Sequence, residues 1–371
     1  MMKLLFLGDF FYSYEHIKDD LRSIGSYIRD NQLATILNLE GPIADVKKNK
    51  KIKKRGPNLS QSACITDALE LLNVKGVCLA NNHMMDYGIK GLEKTLQTLD
   101  ACSVLHTGAG MNLESAAKSM LINVGNKNVR ILNFGWYAEE TVYAGENSAG
   151  CSKRESEFVI ERIKSEKKEN EILVVIFHWG FEFNLYPMPV DRNLAYKCIE
   201  SGADLIIGHH PHNLQPMETY MEKKIYYSLG NFYMSDMREK FNVDYSYDNS
   251  GIFYSDIGCG VILDTDSCEC NIVEFKYSRD SHNTNVGVGF ELENITDKKF
   301  NSEAYKSKVL KGNFGINPMM TLNEKENDKI VRKHIRMCRI YGKIKVLRKC
   351  KIFELAYEIV KAKYKDKNKV Q

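Results

Sequence analysis

Nowhere in these 371 residues does an apolar run approach the roughly 20 residues that a membrane-spanning helix needs, which argues against a helical membrane protein. Charge of one sign is also missing. The 52 Lys+Arg against 48 Asp+Glu leave only +4, so net charge points to no nucleic-acid partner and any anion binding must be local. The ten cysteines are scattered, and the one close pair, Cys268 and Cys270, is spaced C-x-C rather than C-x-x-C. That spacing speaks against a thiol redox motif, and a chain this long is no disulfide scaffold; reduced, mostly buried thiols are expected. Nucleotide loops are lacking too: GAGMN at 108–112 fits neither G-x-G-x-x-G nor a P-loop. Ser228-Leu229-Gly230 is not G-x-S-x-G, and no cysteine adjoins the histidine-bearing segments described below, so a serine or cysteine nucleophile is disfavoured. The N-terminal MMKLLFLGDFF has a short apolar run that meets Asp9 at once, unlike a signal peptide, and a cytoplasmic protein is the expectation.

What is present is a core. With 43% hydrophobic and 10% aromatic residues the chain can bury one large domain with an appendage, or two domains. Short apolar runs at 3–7, 34–39, 74–79, 103–106, 129–134, 172–177 and 205–207 read as strands. Amphipathic stretches at 16–29, 62–72, 89–100, 155–167 and 192–201 read as helices. The alternation implies an α/β domain whose sheet is either wholly parallel or mixed. From 215 to 277 the pattern turns β-rich, with a polar insertion at 236–257. Residues 280–329 look like a connector, and 330–371 like a basic helical extension. In 341–371 ten Lys/Arg face three acidic residues, so this helix either packs its apolar stripe on its own domain or lies peripherally on an anionic membrane. The lysine run KKNKKIKKRG at 47–56 is either a solvated loop or an electrostatic guide for a phosphorylated or acidic substrate.

One segment stands apart. In GADLIIGHHPHNLQP, 202–216, an apolar strand ends in a glycine followed by His209, His210 and His212. Adjacent imidazoles need partners or solvent once buried. If the backbone of His210-Pro211-His212 is extended, residues two apart point the same way and both rings converge on one centre, while His209 points away. Neutral imidazole is a common metal ligand. Other predicted strands end in further O and N donors: Asp9 after the first, Glu40 after ILNL, Asn82 and His83 after VCLAN, and His178 after VVIF. Carboxyl ends of strands are where α/β folds gather their ligands. Mixed carboxylate, amide and imidazole donors suit Mn²⁺, Fe²⁺ or Zn²⁺, and the lack of cysteine among them speaks against structural zinc.

Taken in order, GD (8–9), NLEGP (38–42), LANNHMMDYG (79–88), HWGFE (178–182), GADLIIGHHPHNLQPME (202–218) and YYSLGNF (226–232) resemble the bacterial capsule-synthesis proteins of the CapA (PGA_cap) type, a branch of the calcineurin-like metallophosphoesterases. The resemblance spans about residues 2–277. It implies a four-layer α/β sandwich of two mixed β-sheets flanked by helices over 1–279. It implies metal ligation of one or two divalent ions by Asp9, Glu40, Asn82, His178, His210 and His212. His83 would be the acid that protonates the leaving oxygen, oriented by Asp86, although Asp86 also reads as a helix N-cap. Asn231 is either a partner behind a ligand or a turn residue, and Glu182 would be a partner behind His178. The chain departs from the superfamily at its first motif, often Asp-x-His, which here is Asp9-Phe10-Phe11, and no arginine follows before Arg22.

The function implied is a phosphoesterase-like hydrolase using a metal-held hydroxide, acting on a phosphorylated or acidic precursor in capsule or surface-polymer biosynthesis, beside capsule-synthesis membrane proteins. The alternatives are a non-hydrolytic assembly factor for a capsular polymer and a metal-dependent amide hydrolase.

Overall fold

The computed structural model describes residues 2–54, 57–124, 126–137, 140–182, 184–235, 257–278, 283–288 and 291–295. All of these belong to the first of two compact units, Met1–Leu322. The helical extension expected at 330–371 lies outside the described residues, as does nearly all of the 236–257 insertion.

The first half runs β1 (Lys3–Phe11), α1 (Asp19–Asp30), β2 (Leu33–Leu39), α2 (Ile65–Leu71), β3 (Val74–Cys78), α3 (Gly88–Ala101) and β4 (Leu105–Thr107). There follow β5 (Ala109–Gly110), α4 (Leu113–Ala116), β6 (Met120–Val124), β7 (Lys127–Gly135), β8 (Gly150–Cys151), α5 (Ser156–Glu166), β9 (Glu171–His178), α6 (Pro189–Glu200) and β10 (Leu205–His209). After β10 the regular elements among the described residues are strands: β11 (Met217–Tyr220), β12 (Lys223–Tyr226), β13 (Asn231–Met234), β14 (Ile257–Leu263), β15 (Cys270–Ser278) and β16 (Asn283–Val288). Each apolar run read as a strand is one. The segment read as a connector contributes β16, which pairs antiparallel with β15, so the sheet continues past residue 279.

Two large sheets and a two-stranded one, β5 with β8, are built from these strands. An eight-stranded sheet has the order β16-β15-β14-β1-β2-β3-β4, with β13 also against β1; a six-stranded one has the order β11-β12-β10-β9-β7-β6. Both are mixed. β1 to β4 run parallel while β14 opposes β1, and β12, β10, β9 and β7 run parallel while β11 and β6 oppose their neighbours.

Strand alternation sorts the side chains into layers. Leu4, Phe6, Ile36 and Cys78 of the first sheet meet Ile122, Val129, Ile131, Val174, Ile176 and Ile207 of the second in one buried cluster. Leu5, Leu7, Leu37 and Val77 face the other way, onto Leu21, Ile24 and Ile28 of α1, Ile65 and Leu69 of α2, and Leu92 and Leu99 of α3. These helical positions recur at three- and four-residue spacing, as an amphipathic helix requires. On the far side α5, with buried Val159 and Ile163, packs on β7 and against α6, with buried Leu194 and Cys198. The result is helices, sheet, sheet, helices, the sandwich that the resemblance implies.

β1 changes partner half-way. Leu4–Leu7 pair antiparallel with β14, whereas Asp9–Phe11 pair parallel with β13 across an irregularity at Asp9/Phe10. Irregularities of this kind re-aim a side chain. Gly8 permits it: a Cβ there would stand 2.2 Å from the Gly230 carbonyl oxygen, which already accepts from Asp9 N at 3.0 Å. Gly8→Ala should therefore destabilise the fold by about 1–3 kcal/mol. Urea unfolding would read the change, and an unaltered midpoint would contradict this close approach.

Candidate metal centre

Five parallel strands from the two sheets, β1, β2, β3, β9 and β10, end on the same side, and every donor expected at their ends lies there buried. Two trios of ligand atoms form, Glu40 with His178 and His210, and Asp9 with Glu40 and His212, the atoms of each within 4.8 Å of one another. Glu40 belongs to both. His212 Nδ1 lies 3.5 Å from Asp9 Oδ2 and its Nε2 3.6 Å from Glu40 Oε1. Asn82 Oδ1 meets His178 Nε2 at 2.9 Å, and the rings of His178 and His210 are 4.6 Å apart between centroids.

The chemistry of this donor set fits divalent cations. Both carboxylate oxygens of Glu40 and both ring nitrogens of His210 are buried without a hydrogen-bond partner among the described residues. Unpaired buried polar atoms are costly. A cation between them supplies the missing partner, and the O/N mixture suits Mn²⁺, Fe²⁺ or Zn²⁺.

Electrostatics point the same way. Burial, with Asp9 and Glu182 adding to it, raises the Glu40 carboxyl far above the usual carboxylate range despite the opposing pull of His212. At His212 burial works downward, but Glu40, Asp9 and Glu182 outweigh it and the imidazole holds its proton above its ordinary range. His178 and His210 shift the other way, well down, through burial and then the neighbouring imidazoles, so they are neutral donors.

The loop geometry corrects one expectation. His210 and His212 are not extended: their φ angles are +97° and +57°. Left-handed turns on either side of Pro211, not strand alternation, bring both rings inward, and they serve different trios rather than one centre. His210 N donates to Asp9 Oδ2 at 3.1 Å, which seats the loop on β1. His209, as expected, points away, and its Nε2 donates to the Leu7 carbonyl at 3.0 Å. Asn231 Oδ1 accepts from His212 Nδ1 at 2.8 Å, so that once the ring gives up its extra proton the lone pair is on Nε2, toward Glu40. At the departure from Asp-x-His, Phe11 is buried against Leu59 and Met234, so that position offers no donor.

His83 stands beside Glu40, Nε2 to Oε1 4.0 Å, and its Nδ1 lies 2.7 Å from Asp86 Oδ2. Asp86 is not a helix cap; α3 starts after Tyr87 with no side-chain cap bond, and Asp86 Oδ2 instead accepts from Leu59 N at 2.7 Å. Glu182 bears by its charge on Glu40, His83 and His212.

Four residues escape a reading of the sequence. Asn38 Nδ2 donates to Asp9 Oδ1 at 2.7 Å, and Asn81 Nδ2 donates to Asn38 Oδ1 at 3.2 Å and to Leu39 O at 2.9 Å. Asn133 takes the Ala80 N–H at 2.7 Å and donates to Ile176 O at 3.2 Å. For Asn38 and Asn133 a signal existed, an amide inside an otherwise apolar strand. For Lys54 there was none. Most of its run is the solvated loop expected, with Lys47, Lys48, Lys50, Lys51 and Lys53 exposed, yet Lys54 turns inward to Asp86 Oδ1 at 2.7 Å.

With that geometry in view, a family model described as bacterial capsule synthesis protein PGA_cap matches residues 5–236. The chain belongs to this family. Among PGA_cap relatives, the chain is 35% identical over 196 residues to a PGA biosynthesis protein CapA of Bacillus subtilis, covering 53% of this chain and 51% of that protein. It is 32% identical over 216 residues to a capsule biosynthesis protein CapA of Bacillus anthracis, covering 57% and 52%. The chain thus spans about half the length of the curated relatives it matches. Among solved structures, a 5'-nucleotidase precursor of Thermus thermophilus is similar at 10% identity and a TM-score of 0.45, covering 76% of this chain and 55% of that one. Among the described residues of this PGA_cap chain, no helix is long and apolar enough to cross a membrane.

Because Glu40 and His212 keep protons to higher pH than usual, a cation that takes their lone pairs must displace those protons near neutral pH. Calorimetry of Mn²⁺ or Zn²⁺ binding in buffers of different ionisation enthalpy should show net proton release, with apparent affinity climbing as pH rises through neutrality. Heats independent of the buffer would contradict this picture of the centre.

Proposed function

We propose that this PGA_cap chain is a metal-dependent phosphoesterase-like hydrolase that acts on a phosphorylated or acidic precursor of a capsule or surface polymer. One observation carries the reading: a single buried carboxylate, Glu40, shared by two donor trios, with neither oxygen hydrogen-bonded among the described residues. A shared carboxylate is what a site for two cations needs.

Asp9, Glu40 and His212 would hold one ion, and Glu40, Asn82, His178 and His210 the other. Bound cations would supply Lewis-acid polarisation of the phosphoryl oxygen and a water acidic enough to attack near neutral pH. The chain's own groups do the rest. Asn38 and the His210 amide fix the Asp9 carboxylate between them. Asn231 sets the His212 tautomer. His83, with Nε2 on the Glu40 side of its ring and Asp86 behind it, is placed to donate to the leaving oxygen. The near-complete burial of these groups excludes bulk water and strengthens each interaction.

The names of the Bacillus relatives favour a second reading, an assembly factor in which the same centre binds without hydrolysis and the protein works alongside membrane components of capsule synthesis. An amide hydrolase run by the same water is the third.

Elemental analysis of protein prepared without chelator should find one or two equivalents of Mn, Fe or Zn, lost in Asp9→Ala and His210→Ala. His83→Ala should keep the metal while kcat on a generic phosphoester falls by about 10²–10⁴. Cleavage of glutamyl bonds instead would select the amidase. Metal without turnover, together with stable binding to membrane synthase components, would select the assembly factor. Absence of metal after Mn²⁺ is restored would remove the hydrolase reading.

A further inference from the structure

An anion and a cation compete for one ring nitrogen of His83. Its Nδ1 lies 2.7 Å from Asp86 Oδ2 and 2.9 Å from Lys54 Nζ. A nitrogen of a neutral imidazole either carries the proton or offers the lone pair, and the other nitrogen does the opposite. Toward Asp86, Nδ1 must donate; toward Lys54 it must accept. The outcome decides what the metal centre sees, because Nε2 is the nitrogen on the Glu40 side, 4.0 Å from Oε1.

The surroundings weigh toward Lys54. Its side chain is only 3% exposed, so water does not satisfy it. An ammonium has three N–H groups and can accept nothing. Three groups surround it: the Asn82 carbonyl at 3.1 Å, Asp86 Oδ1 at 2.7 Å and His83 Nδ1 at 2.9 Å. If Nδ1 carried the proton, a buried N–H of a charged group would confront another N–H, an expensive mismatch. An unprotonated Nδ1 sets its lone pair against Asp86 Oδ2 at 2.7 Å, a cost that Asp86 meets with other partners. The Leu59 amide donates to its Oδ2 at 2.7 Å, and Lys54 neutralises it at Oδ1.

We propose that Lys54 is a positioning residue of this site: its ammonium, directed at Nδ1, holds neutral His83 with the proton on Nε2 and so aims an N–H donor at the metal centre. With Asp86 alone, the neutral ring would carry its proton on Nδ1 and show the centre a lone pair. No bond to hydrogen has to break for this donor to stabilise negative charge building on a leaving or phosphoryl oxygen. The ammonium is ringed by partners from this chain, so it is not itself a substrate ligand. Its chemical consequence rests on the reading of His83 as a donor; the tautomer does not.

The experiment uses full-length protein loaded with Zn²⁺, which is diamagnetic, and labelled with ¹⁵N-histidine. Long-range ¹H–¹⁵N spectra, recorded where the rings are uncharged, assign His83 as the signal set missing from His83→Ala. The expected result is a proton on Nε2 in the wild type and on Nδ1 in Lys54→Met, with the signals of His178, His210 and His212 and the zinc content unchanged. Lys54→Arg, whose planar fork does not reproduce the three directions of an ammonium, should give a mixture. A wild-type proton on Nδ1 overturns the proposal, as does a Lys54→Met spectrum like that of the wild type. Should Lys54→Met fail to fold, the wild type and Lys54→Arg decide the matter by themselves. These spectra need no turnover, so they stand even where phosphoester hydrolysis is not found. Where hydrolysis is found, Lys54→Met should lower kcat by about 10²-fold with little change in KM.

Discussion

Two sheets that share no hydrogen-bonded strand among the described residues must hold their carboxyl ends in register, since the candidate centre draws Asp9, Glu40 and Asn82 from one and His178, His210 and His212 from the other. Apolar packing between the sheets is strong but non-directional. A small set of buried hydrogen bonds supplies the direction. His209 of β10 reaches across to the Leu7 carbonyl of β1, the His210 amide clasps Asp9, and Asn133 of β7 holds Ala80 beyond β3 while also bonding Ile176 of β9. Each occupies a polar backbone or carboxylate group that would otherwise be buried unpaired. Any binding of metal at this candidate centre is thus conditional on groups outside the two donor trios, His209 foremost among them.

The same burial explains why the centre asks for cations. In a poorly polarisable interior, adjacent carboxylates and several imidazoles do not settle at their ordinary charges. Two of the histidines are driven neutral, while Glu40 and His212 cling to protons. Protons are a poor substitute for divalent charge here, because Glu40 faces donors on two sides and one hydrogen can bridge only one of them. The neighbouring pocket of Asp86, Lys54 and His83 is built on a different plan. There, positive and negative charge are matched within the chain, so its geometry does not wait on an ion.

Much of this was legible in the sequence for a physical reason. Strands buried on both faces are continuous apolar runs, so the polar residue that ends each of them stands out. Asp9, Glu40, Asn82, His178 and His210 were visible as endings, and the two mixed sheets followed from the family resemblance that those endings carry. Three kinds of information were not local enough to read. The φ of His210 and His212 reflects how the loop must bend to reach β1, which no dipeptide preference dictates. Asn133 acts between sheets, so its partners lie far away in sequence. Lys54 looks like its neighbours in a lysine run; only the tertiary fold distinguishes the one ammonium that is buried. Asp86 fitted a cap or a catalytic partner equally well until α3 proved to begin without it.

The order in which the groups occur along the chain has a consequence for how the protein is made. β1, synthesised before every other strand described, finds its neighbours β13 and β14 only after residue 230, and the Asp9 amide is bonded to Gly230 itself. A ribosome-bound chain that has emerged as far as β9 would own Asp9, Glu40, Asn82 and His178, with Asn38 already on the first of them but neither the Gly230 carbonyl nor the His210 amide to complete its hold. Closing so long a loop is entropically slow. Cation capture at the proposed centre would therefore belong to the last stage of maturation, when the GHHPH turn seats on β1, and a chain stalled before that point would carry buried-type carboxylates and imidazoles still open to water.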